Sequence, residues 1–289
     1  MTGVALLGLA PMLTGCFVTT QHVAVHAAPP VVLNATLDQL VAKIDTQFKA
    51  IHTLNAQVVI SATTPGAKLG DVNVSTGFSG RIFVRKPQDL RVVLMVPVLS
   101  TRAMDMVSNG TDFTLYIPSK KKVIEGTNVV TNPSPNVLEN LRPNVFLDAL
   151  IVRDVGADEY VELSDSSRLV EPETKHRDAI SEPDYDLTIS KLRTGHMLAR
   201  LRVIHFSRVD LEPYEQDVYD DAGRVVTTVK YSKYQKFGDL SFPTDIVIDR
   251  PLDHYSLKVT VQSLKPNRQI DDDQFEKDIP AGVAVEKLK

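Results

Sequence analysis

The sequence predicts an α+β protein built mainly from antiparallel strands. A single apolar stripe at helical period follows residue 36, and after it come many short runs rich in Val, Ile, Phe, Tyr and Thr, separated by turn residues. The links between these runs are too short for helical crossovers, so the strands pair as a meander. With 289 residues, 43% hydrophobic and 24% charged, the chain has the composition of a globular protein of one or two domains.

The stripe runs Leu37, Leu40, Val41, Ile44, Phe48, Ile51 and Leu54, which predicts a helix of about eighteen residues. Thr36 and Gln39 have the spacing of a capping box at its start. The opposite face, with Asp38, Lys43, Asp45 and Lys49, is polar, so the apolar face must lie on something apolar. Strands are predicted at 56–62, 78–86, 90–97, 104–108, 112–117, 122–125, 159–163, 186–192, 198–207, 213–220, 224–234, 244–250 and 255–264. Asn109-Gly110 and Asp220-Asp221-Ala222-Gly223 are hairpin turns between them. A second helical region is predicted over 136–152, broken into two pieces by Pro143. The segment Ser164 to Asp186, rich in charge and holding Pro172 and Pro183, reads as an exposed excursion.

Alternation places Leu90, Val92 and Leu94 on one face of their strand, Phe113, Leu115 and Ile117 together on another, and Ile82, Val84 and Lys86 together on a third. Such a face can be covered by the helix or can wrap into a trough that holds a guest, and periodicity leaves both outcomes open.

The amino end reads as an export signal with an anchor. Residues 4–13 form an apolar run that rises only about 15 Å as helix, half a bilayer core, and so a signal segment rather than a span. Leu13-Thr14-Gly15-Cys16 has the form of a bacterial lipobox, and Cys16 is the only cysteine in the chain. The expected layout is therefore a signal peptide over 1–15, a lipidated Cys16 with a flexible tether through 33, and one domain over 34–289. A sole cysteine also excludes an internal disulfide and any Cys-ligated metal centre. A net charge of −4 gives no general attraction to nucleic acid, and none is expected as a partner.

No catalytic residue, cofactor or metal is expected. The seven His are scattered without a metal-ligand spacing, and Gly77-Phe78-Ser79-Gly80 falls one residue short of a nucleophile elbow within a β-rich run. Asp271-Asp272-Asp273 lacks the spacing of a calcium loop and reads as a solvated turn. Lys120-Lys121-Lys122 reads as a charged edge that discourages strand pairing, with contact to anionic head groups as the other reading. His205, in an apolar strand, reads as a hydrogen-bonded structural residue.

Taken in order, three segments resemble the LolA/LolB-like superfamily of lipoprotein carriers and outer-membrane lipoprotein receptors. Gly80-Arg81-Ile82-Phe83-Val84-Arg85-Lys86-Pro87 is similar to its Gly-x-hydrophobic-x-Val-basic-basic-Pro strand. Val107-Ser108-Asn109-Gly110-Thr111-Asp112-Phe113 through Pro118 is similar to its hairpin, and Phe275 to Val285 to its closing strand. The apolar stretch Phe146 to Ile151 stands where the family has its lid. The resemblance implies an open, strongly curved antiparallel sheet, an unclosed barrel, with helices across its mouth and an apolar cavity between. It implies a lipid-anchored protein of the envelope that binds lipid or lipoprotein acyl chains and faces the periplasm. The alternative is a same-fold sensor or assembly module whose partner is another envelope protein. The expected cavity lining is Ile82, Val84, Leu90, Val92, Leu94, Phe113 and Leu115, with Leu40, Ile44, Phe48, Phe146 and Leu150 as lid. Lys86 stands where the soluble carriers have an arginine latch, and a lysine lacks the planar fork that bonds two carbonyls.

Overall fold

The computed structural model describes residues 32–66, 68, 71–127, 140–170, 180–279 and 282–287. In chain order the elements are α1 (Leu37–Ala50), β1 (Thr53–Pro65), β2 (Val72–Val74), β3 (Phe78–Arg85), β4 (Asp89–Met95), β5 (Arg102–Ser108), β6 (Asp112–Ile117) and β7 (Lys122–Thr127). Next come α2 (Pro143–Leu150), β8 (Glu159–Val170), β9 (Ile180–Leu192), β10 (Leu198–Ser207), β11 (Pro213–Tyr219), β12 (Val225–Phe237), β13 (Leu240–Arg250), β14 (Tyr255–Pro266) and β15 (Ala284–Lys287).

All the strands belong to one sheet of 15, ordered β15-β7-β6-β5-β4-β3-β1-β14-β13-β12-β11-β10-β9-β8, with β2 paired to β1. Two antiparallel meanders, β3 to β7 and β8 to β14, are joined through β1, which lies between β3 and β14. Among the described strands only β15 runs parallel to its neighbour, β7. The two ends of the order, β15 and β8, stay apart, so the sheet is open, as the sequence resemblance implies.

α1 begins where the sequence places it, with Thr36 and Gln39 bonded reciprocally as a capping box, a device worth about 1 kcal/mol. It ends at Ala50 rather than near Leu54. Ile51 takes extended dihedrals, and Asn267, just beyond β14, bonds Ala50 O at 2.7 Å and the His52 amide at 2.8 Å. The helical spacing of Ile51 and Leu54 persists into a run whose backbone is claimed by β14, so Leu54 is a strand residue opposite Pro266. The helical region is interrupted just before Pro143: Asn140 is in a 3-10 turn, Leu141 and Arg142 are not helical, and Pro143 opens α2 in its first turn, where its missing N–H costs nothing. The part of the predicted second helix at 136–139 lies outside the described residues, as do Cys16 and the whole of 1–31.

The predicted excursion from Ser164 to Asp186 is instead a long hairpin, β8 paired to β9 from Glu159↔Lys191 to Val170↔Ile180. Both of its faces near the tip meet solvent, so the apolar alternation that marks a strand is missing there. Cross-strand charge replaces it, with Arg168 3.0 Å from Glu182. The elbow-like Gly77-Phe78-Ser79-Gly80 lies at the entry to β3. A Cβ on Gly80 would come within 2.1 Å of Val93 O, so this glycine lets β3 and β4 approach.

Candidate functional site

The concave face of the sheet is the candidate site, and the two helices fill it. α2 presents Val145, Phe146, Ala149 and Leu150 to one large cluster. That cluster takes in Ile82, Val84, Leu90, Val92, Leu94, Phe113 and Leu115, all of which alternation had placed on inward faces. It also takes in Tyr231 of β12, Phe242, Ile246 and Ile248 of β13, and Leu257 and Val259 of β14. α1 does something different from the expected lid. Its Leu40 and Ile44 lie on a second cluster, with Tyr185, Leu187, Ile189, Ile204 and Phe206 of β9 and β10, and only Phe48 at its carboxyl end reaches the first. Leu40 and Ile44 are therefore corrected from trough lid to the packing of the far half of the sheet.

The expected open cavity is corrected as well. Between the carboxyl ends of α1 and α2 there remains a seam of ≈ 40 Å³, bordered by Phe48, Ile51, Leu150, Val152, Tyr231, Tyr234, Leu240 and Phe242. That is room for about one water and far below the several hundred Å³ of a ligand site. The reason is the reach of α2. Its Phe146 and Leu150 are buried in the same cluster as the residues expected to line the trough. A larger cleft of ≈ 420 Å³ lies on the opposite, outer face, over Arg81, Phe83, Arg91 and Val93.

The helices are held unequally. α1 is tied by Lys43 to Glu212 at 3.0 Å, by Asp45 accepting from the Val155 amide at 3.3 Å, and by Asn267 at its end. Lys86 adds a further tie: its Nζ donates to Phe48 O in the last turn and lies 3.6 Å from the centre of the Phe48 ring. A cation there also meets the negative end of the helix dipole. Burial pushes the Lys86 pKa below the ordinary lysine value, with Asp154 opposing. Lys86 thus latches α1, not the second helix. Arg85, one residue earlier, points to the other face and pairs with Asp89 and Asp272 at 2.9 and 2.6 Å, with its guanidinium over Phe275. Among the described residues α2 is seated mainly by apolar contact, with Gln216 Nε2 donating to Asp148 O at 3.2 Å and Arg153 Nε 3.5 Å from the Asp148 carboxylate. Arg142 at its amino end is buried, 5.1 Å over the Phe113 ring, and burial lowers its pKa.

Two features escaped the sequence reading. Tyr231 borders the seam with a buried hydroxyl that has no hydrogen-bond partner, and burial drives its pKa far upward. Its alternation with Val229 was visible, but its lack of a partner was not. The β4–β5 turn carries Val98, fully exposed at 100%, and Leu99, exposed at 70%. Val98 and Ser100 have φ of 68° and 50°, strained for side-chain-bearing residues and more so for a β-branched one. Two aliphatic residues after Pro97, where a turn would hold Gly or Asn, were the available signal.

Two solved structures share this architecture. A LolA superfamily protein from Nitrosomonas europaea superposes with a TM-score of 0.50 at 15% identity, covering 84% of this chain and 99% of that one. A DUF1329-family protein from Desulfovibrio piger superposes with a TM-score of 0.51 at 14% identity, covering 82% and 94%. The fold is LolA-like. No family model matches the sequence, and no curated protein does. At such identities the likeness is one of architecture. Within this LolA-like fold the chain carries a lysine latch on α1 and an apolar β4–β5 tip.

Proposed function

We propose that this chain is a bacterial envelope protein, exported by the signal at 1–15 and anchored through Cys16, that takes lipid or lipoprotein acyl chains into its LolA-like trough and assists their transfer or localisation at the outer membrane. The observation that carries the reading is the seat of α2, which among the described residues is mainly apolar contact with an apolar floor. Displacing its side chains would free a site without breaking the sheet. Transfer of an acyl chain of about fifteen CH₂ groups from water into such a floor is worth on the order of 12 kcal/mol, enough to compete with the lid. The seam of ≈ 40 Å³ marks where entry would start, and the unpartnered Tyr231 hydroxyl beside it suits an ester or thioester carbonyl. The Val98–Leu99 tip gives the protein an apolar point for touching a bilayer. Among the described residues no helix is long and apolar enough to cross a membrane.

The filled trough favours a second reading, a same-fold module that binds another envelope protein. One experiment separates them. Native mass spectrometry and fluorescent fatty-acid uptake are measured on the chain carrying Cys16→Ser, and again with Leu150→Trp, which closes the seam. Acyl ligand bound by the first and lost by the second supports the carrier. No lipid in either, with one stoichiometric protein captured by crosslinking in the envelope, supports the module.

A further inference from the structure

Strand register lays one row of side chains across the outer face of β9 to β12. Asp186 stands opposite His205, His205 opposite Glu215, and Glu215 opposite Lys230. This is the face away from Ile204 and Leu187, which lie under α1. His205 Nδ1 is 2.6 Å from Asp186 Oδ1. Its Nε2 is buried, makes no hydrogen bond, and faces Asp217 Oδ2 at 3.7 Å. Thr228 donates to the other oxygen of Asp217 at 2.5 Å, which turns Oδ2 toward the imidazole. One donor atom from each of His205, Glu215 and Asp217 lies within 4.8 Å of the other two.

We propose that His205, Glu215 and Asp217 bind a divalent transition-metal cation, with zinc as the fitting probe, on the outer face of the sheet. One imidazole with two carboxylates is a donor set suited to zinc, whose bonds to N and O are about 2.0–2.2 Å, and small side-chain rotations bring the three donors to that distance. The Asp186 carboxylate on Nδ1 fixes the tautomer that leaves the Nε2 lone pair outward, which is how metal-binding imidazoles are commonly oriented. Three carboxylates surround this one imidazole. The nearby cations offset them only in part: Lys230 Nζ is 3.9 Å from Glu215, and the Arg168 guanidinium is stacked on Tyr214 and bonded to Glu182. No sequence motif marks the site, because positions 205, 215 and 217 meet only through the pairing of β10 with β11. The other occupant of Nε2 is a proton shared with Asp217.

The test uses the full chain carrying Cys16→Ser, stripped of metal with a chelator and titrated with zinc at about pH 8, where free imidazole is neutral. Calorimetry gives stoichiometry and affinity, and NMR follows the side-chain nitrogens of His205. The expected result is one equivalent that His205→Ala loses and that Asp186→Asn, with all three ligands intact, binds about 10- to 100-fold more weakly. In the unsubstituted site, zinc should shift the Nε2 signal. Should His205→Ala fold poorly, that NMR signal still decides. An Nε2 resonance that answers to pH and not to zinc, or an equivalent retained by folded His205→Ala, overturns the proposal.

Discussion

Asp245 on β13 is nearly buried, and Lys233 Nζ at 2.7 Å holds its carboxyl below the ordinary carboxylate range despite the opposing effect of burial. A depressed folded pKa means that the ionised form is favoured in the native state. Its contribution is therefore fully present above the unfolded value, about 3.9, and is lost as pH falls through the folded one. Asp245→Asn is expected to flatten the acid limb of stability against pH and to cost about 1 kcal/mol near neutrality, read from urea melts. Gly80→Ala puts a methyl against Val93 O and should part β3 from β4, lowering the thermal midpoint by the equivalent of about 1–3 kcal/mol. Single-residue chemistry of this kind was only partly readable in the sequence. Alternation placed Leu90, Val92 and Leu94 on one face of their strand, and all three are buried in the first cluster. The partner of Lys86 sits on another element, and those of His205 are set by the register of β9, β10 and β11, so neither left a local motif.

Among the elements, α1 and α2 differ in what ties them down, and that difference is measurable. Polar bonds hold α1 along its length and at its end, whereas α2 rests on Val145, Phe146 and Leu150. Amide hydrogen exchange should therefore protect α1 more than α2, and an acyl ligand should alter protection in α2 first. Phe146→Ala, at a side chain 1% exposed, is expected to cost about 3–5 kcal/mol in a denaturant titration. α1 was legible because a capping box and a stripe reinforce one another. Its end was not, because the competing claim on Ile51 and Leu54 comes from β14, more than 200 residues away. The part of the β8–β9 hairpin beyond the predicted strands 159–163 and 186–192 was hidden for another reason: strands wet on both faces have no apolar period to read.

For the molecule as a whole, the antiparallel meander followed from short links and turn residues such as Asn109-Gly110, and the joining of the two meanders through β1 did not. Whether the trough is full could not be read either, since inward-facing Leu and Val look alike in a core and in a cavity. The filled trough and the outward tip make a joint prediction. Replacing Val98 and Leu99 together by Asp should leave the thermal midpoint unchanged, because neither side chain is packed. It should reduce co-sedimentation of the chain carrying Cys16→Ser with anionic lipid vesicles by several-fold. Equal binding by both forms would remove the tip from any role at a membrane.

β1 pairs early with β3, which follows it closely, but its other edge is completed only by Tyr255–Pro266. During synthesis the first meander, complete at Thr127, can assemble while that flank stays bare until Tyr255–Pro266 has been made. A bare flank is where a neighbouring nascent chain would add its own strand. The vulnerable interval in the life of this protein is thus set by a pairing distance, and a chaperone that shields one strand would be sufficient to guard it.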